Sequence, residues 1–213
     1  MNRTSHRVLT LVEALALAVY IAWYIWRLQG TQQNSWIIFP VWLIASFLLH
    51  RDTPKTLGWR ADNLWPATRQ GLPIFLVFVF AGCLAGLWFG AFHNLPPHLI
   101  QLRHVLNYAA FCLLQQVALN SYMTNRLLYV FDGKLPAAGA AAAVFAALHW
   151  PNPVLVPLTF LGGLAMSWLF ARERNILPLA AGQAVVGTLV WWALPMAWHH
   201  GMRVGPGYYT FHL

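Results

Sequence analysis

Carboxylates are the chain's scarcest resource. Five Asp and Glu occur among 213 residues, and only 8% of the residues are charged, where an ordinary soluble domain carries about 25%. A soluble globular fold is excluded on that ground. The two cysteines, Cys83 and Cys112, both lie in apolar runs and supply neither a disulfide framework nor a cysteine metal motif. The 13 Lys and Arg give a formal charge of +8. They are spread between apolar runs rather than clustered, which speaks against a nucleic-acid partner and reads as a topology signal. The first apolar run is too long for a cleavable signal peptide and has no small-residue cleavage site after it.

What is abundant is hydrocarbon. Hydrophobic residues make up 59% of the chain and the mean hydropathy is +0.55. Twelve Trp fit the aromatic belts of a membrane protein. Apolar runs cover residues 8–28, 36–49, 72–92, 101–129, 136–149, 154–170 and 176–198. About 20 apolar residues cross a bilayer as a helix. The expected fold is therefore an all-α polytopic membrane protein of about seven transmembrane helices, one domain over residues 1–213, with the lipid bilayer as its partner. The run 36–49 is short and is the weakest span. Between it and the third run, Pro54, Gly58 and Pro66 break a basic segment with Trp59 and Trp65, expected to lie on the membrane surface. The HNLPPH connection at 93–98 and the GPGYYTFHL tail flank later spans. With the N-terminus inside, ten of the 13 Lys and Arg fall on the cytoplasmic side, as the positive-inside rule requires.

Polar residues interrupt this scaffold at few places, and polar groups in hydrocarbon are costly. In FCLLQQVALNSYMTNR, at 111–126, Gln115, Gln116 and Asn120 break the fourth run. Gln116 and Asn120 are an i, i+4 pair and share a helix face. His149 ends the fifth run before a Pro-Asn-Pro break, and Gln183 interrupts the seventh. At 1.5 Å rise per residue, Gln116, His149 and Gln183 lie about 12 to 21 Å from the cytoplasmic ends of their helices. A polar cavity between the fourth, fifth and seventh helices is expected. The competing reading of the amides is plain interhelical hydrogen bonding, worth about 0.6 kcal/mol per contact.

The order of motifs resembles the CPBP (CAAX protease and bacteriocin-processing) family of intramembrane endopeptidases. In that family the first motif is Glu-Glu-x-x-x-Arg, and here the string is Gln115-Gln116-Val117-Ala118-Leu119-Asn120. The second, Phe-x-x-x-His, is matched by Phe145 and His149. The third is a His with an Asn four residues on, after an Asn-Ile/Leu-Leu-Pro entry. Asn175-Ile176-Leu177-Pro178 supplies the entry, while Gln183 and Gly187 stand at the His and Asn positions. The Leu57-Gly58-Trp59 segment before the third span resembles the family's usual loop, and the family-like core covers about residues 54–190. The resemblance implies a multi-pass protein of a bacterial cytoplasmic membrane that handles membrane-embedded or lipidated peptides.

It also implies catalytic positions at Gln115, Gln116, Asn120 and His149, with Phe145, Gln183 and Gly187 lining a substrate cavity. The chemistry at those positions is altered. A general base must accept a proton near neutral pH, and an amide does not. Catalytic zinc takes three protein ligands from His, Cys and carboxylates, and His149 stands alone, so no metal and no cofactor is expected. The leading reading is a catalytically impaired relative that binds membrane-embedded or lipidated peptides. The alternatives are a peptidase using His149 as base, with the amides holding an oxyanion, and a non-enzymatic structural subunit of a membrane complex.

Overall fold

A computed structural model describes residues 3–90 and 98–211. Apart from His98, the HNLPPH connection lies outside the described residues. All regular structure among the described residues is helical. Helix α1 (Arg3–Trp23) continues as a π-turn over Tyr24–Leu28. A short 3₁₀ turn leads into α2 (Ile38–Leu49), followed by α3 (Pro54–Leu57) and α4 (Leu64–Trp88). Helix α5 (His98–Gln116) passes through a π segment, Val117–Thr124, into α6 (Asn125–Val130). Then come α7 (Lys134–Ala147), α8 (Leu155–Glu173), α9 (Leu177–Ala193), α10 (Met196–His199) and α11 (Pro206–Tyr209).

Three helical stretches, Thr4–Leu28, Leu64–Trp88 and Leu155–Glu173, are long and apolar enough to cross a membrane. A fourth crossing is α9 with the segment after it, if the bent pair counts as one span. Their outward faces are apolar: Val19, Val77 and Phe80 are all exposed, as lipid-facing positions should be. The protein is a membrane protein.

Three expectations about the helices change. The segment read as lying on the surface is partly absorbed into α4, which starts at Leu64. The seventh run stops at Ala193, and the following helix turns away by 119°. Pro195 explains the break: the residue before a proline is driven out of the helical region, and Leu194 is extended at ψ 147°. The fourth run is not a continuous α-helix. Val117–Thr124 is a π segment, where the Thr124 hydroxyl oxygen lies 2.8 Å from the Leu119 carbonyl oxygen five residues back.

Packing is tightest where residues are smallest. Ala137, Ala138, Ala141 and Ala142 of α7 are all fully buried. A Cβ on Gly163 would lie 3.3 Å from the Ala142 backbone, so any side chain there would push the helices apart by a few tenths of an ångström. Two segments far apart in sequence lock together at one end of the bundle. Ile176 N–H donates to the Gly58 carbonyl at 3.0 Å, and Asn175 Nδ2 donates to the Arg60 carbonyl at 2.8 Å and to Asn63 Oδ1 at 2.9 Å. Gly58 has φ +84°, and a Cβ there would meet Phe170 at 2.7 Å. In the exposed loop between them, Arg60 donates to Asp62 at 3.0 Å, and that hydrogen bond holds the Asp62 carboxyl below its usual range.

Candidate functional site

Gln116 and Asn120 are fully buried, and their amides are consumed by one another and by neighbouring helices. Thr124 Oγ1 donates to Asn120 Oδ1 at 3.0 Å. Asn120 Nδ2 donates to Gln116 Oε1 at 2.5 Å. Gln116 Nε2 donates to Gln183 Oε1 at 2.6 Å and lies 3.0 Å from Met166 Sδ. Gln183 Nε2 donates to Gln115 Oε1 at 2.6 Å. The result is one line of hydrogen bonds from Thr124 to Gln115 that crosses to α9 and back. Ser167 Oγ on α8 lies 3.0 Å from Thr124 Oγ1. The π segment presents Asn120 and Thr124 to this line, and π turns recur at functional positions of helices.

His149 stands apart from the amides. Its Nδ1 is 2.6 Å from the Phe145 carbonyl of its own helix, and its ring meets the Phe145 ring edge-on at 4.7 Å. It makes no hydrogen bond to Gln115, Gln116, Asn120 or Gln183 among the described residues. The structure thus gathers the four amides, whereas His149 is held by the Phe-x-x-x-His pair itself.

A cavity of about 100 Å³ lies next to the amide line. Phe145, Gln183 and Gly187 line it, with Phe75 and Phe78 of α4, Tyr108 of α5, Met166 of α8 and Met202 beyond the α9 break. Its wall is mostly apolar and it draws on α4 and α8, which the sequence reading did not include. Gln115, Gln116, Asn120 and His149 do not line it. Gly187 is where Tyr108 reaches across: a Cβ on Gly187 would fall 2.1 Å from the Tyr108 hydroxyl oxygen. The glycine at the family's Asn position therefore houses a tyrosine.

Nothing at the amide line can take a proton from water at neutral pH, because amide oxygens are too weakly basic. Among the described residues no three His, Cys, Asp or Glu side chains come together as metal ligands. The residues at the family positions do not fit a zinc site.

Sequence reasoning passed over several participants. Thr124 was legible as the next i+4 step after Asn120 on the same face. Met166 and Ser167 carried no such mark. A charged cluster outside the amide line was also missed: Glu13 of α1, Ser46 and His50 of α2, Asp52, and Arg126 of α6. Its signal was an arginine, Arg126, within an otherwise apolar stretch.

No curated protein and no solved structure matches the chain. A family model described as type II CAAX prenyl endopeptidase Rce1-like does match, over residues 102–189, the span that holds the amide line, Phe145, His149 and most of the cavity wall. Over that stretch the chain is similar to the Rce1-like type II CAAX prenyl endopeptidases.

Proposed function

We propose that the protein is a non-hydrolytic relative of the CAAX endopeptidases that binds membrane-embedded or lipidated peptide segments. The observation that carries this reading is the hydrogen-bonded pair Gln116–Asn120, fully buried, at the positions where the family places its base and its arginine. Catalysis there needs a proton acceptor with access to water. An amide already bonded on both sides offers neither.

The adjoining cavity supplies the binding element. An apolar cavity of about 150 Å³ accommodates a benzene ring, so a volume of about 100 Å³ suits one branched apolar side chain or a single isoprene unit. The Gln183 amide at its edge is a polar handle for a peptide group. In this reading the chain is one domain of about seven crossings in a cell membrane, with the N-terminus cytoplasmic. The basic loops and the family's bacterial members support that arrangement.

The test uses purified protein in lipid nanodiscs with a prenylated peptide carrying a photoreactive isoprene. Crosslinks at Phe75, Tyr108 or Gln183, without peptide cleavage, are the expected result. Cleavage abolished by His149→Ala would establish a peptidase instead. Crosslinking no greater than for the unprenylated peptide would leave a structural subunit as the answer.

A further inference from the structure

A second site lies on the other side of the molecule, where α1 and α2 diverge. A groove of about 430 Å³ is lined by Ile37 at the end of the 3₁₀ turn and by Ile38, Val41, Ala45 and Leu49 of α2, with Glu13 of α1 and Ser46 at one end. Ile37, Val41 and Leu49 are exposed. Glu13 is the groove's one charged lining residue.

Glu13 and Asp52 share the guanidinium of Arg126 unequally. Arg126 Nη2 sits 2.7 Å from Asp52 Oδ2, whereas its Nε lies 3.7 Å from Glu13 Oε1. The guanidinium is thus committed to Asp52 and to the Ser46 hydroxyl, at 2.8 Å. Glu13 is left with the Ser46 hydroxyl and with His50 Nε2 at 2.7 Å. Arg126 is within ion-pair range of both carboxylates but hydrogen-bonds only Asp52. A carboxylate facing hydrocarbon is costly unless a cation meets it, and each of its oxygens has capacity for a further hydrogen bond.

We infer that this groove binds a phospholipid with a primary ammonium head group, its ammonium on Glu13 and an acyl chain along the apolar face of α2. A primary ammonium brings three N–H donors and a positive charge to a carboxylate with spare lone pairs. A quaternary head group has no N–H to give, and an anionic one would meet Glu13 as a like charge. Trp42 borders the groove, but its indole N–H is spent on Tyr122 Oη at 3.0 Å. Tyr122 in turn donates to the Glu13 carbonyl at 3.0 Å. The end wall is thereby fixed before any lipid arrives.

Native mass spectrometry of the whole protein, released from nanodiscs of equal phosphatidylethanolamine, phosphatidylcholine and phosphatidylglycerol, reads this directly. Wild-type protein should retain phosphatidylethanolamine about fivefold over phosphatidylcholine, the scale of one charge contact at a membrane surface. Glu13→Gln should erase that preference, and His50→Gln should keep it. Val41→Trp, at an exposed position, fills the groove without touching the charged cluster and should lower retention of phosphatidylethanolamine. Equal retention of the lipids, a preference for choline or glycerol head groups, or a preference that survives either Glu13→Gln or Val41→Trp overturns the assignment. The groove variant keeps the test decisive if Glu13→Gln does not fold.

Discussion

Gln116 Nε2 donates to Gln183 Oε1 across 2.6 Å, and this bond ties the Gln-Gln-x-x-x-Asn segment to α9. It joins two positions 67 residues apart in sequence. Replacing Gln116 by Leu strands Gln183 Oε1 and Asn120 Nδ2 together. The expected loss is roughly 1–2 kcal/mol, read as a lower unfolding midpoint in detergent. A midpoint equal to wild type would show that the line carries no stability.

Arg126 is 4% exposed and serves Asp52 and Ser46. Arg126→Met leaves both neighbouring carboxylates without their guanidinium and should destabilise by about 3–5 kcal/mol. Adding Asp52→Asn should recover part of this. A double-mutant cycle on unfolding free energies gives the coupling.

Gly187→Ala places a methyl group against the Tyr108 hydroxyl. Overpacking of this kind costs about 1–3 kcal/mol. Combining it with Tyr108→Ala should restore the midpoint. If binding follows the proposed cavity, the single substitution also abolishes crosslinking of the prenylated peptide.

Asn152 fastens the C-terminal segment. Its Nδ2 donates to the His199 carbonyl at 2.8 Å and the Arg203 carbonyl at 3.0 Å, while Oδ1 accepts from Val154 and Leu155 N–H. Asn152→Ala should cost roughly 1–3 kcal/mol and speed tryptic cleavage after Arg203. Unchanged cleavage would mean that Gly205 N–H on the Trp150 carbonyl, at 3.0 Å, holds the segment unaided.

The helical class and the membrane setting were legible because both rest on composition and run length, which local sequence carries. So was the meeting of Gln116 with Gln183: depth along a helix follows from counting residues to its end. His149 was counted to a similar depth, yet depth says nothing of direction around the helix axis, and its ring turned to Phe145. Glu13 stands in the first apolar run, and nothing near it in sequence marks its partners. Its role depends on Ser46, His50 and Arg126, which only tertiary packing brings near. The break after Ala193 had its cause in plain view in Pro195, but tolerated kinks look the same in sequence.

The π segment has a consequence for how the two polar sites relate in angle. A π-turn closes its hydrogen bond over i→i+5 and so takes in one residue more than an α-turn. That residue sets the angular phase between Gln116 above it and Arg126 below. Deleting a single residue within 117–124 would turn α6 by about 100° relative to α5. Either the amides or the guanidinium could then face their partners, but not both. The helix works as a two-toothed key whose teeth are cut to each other's spacing.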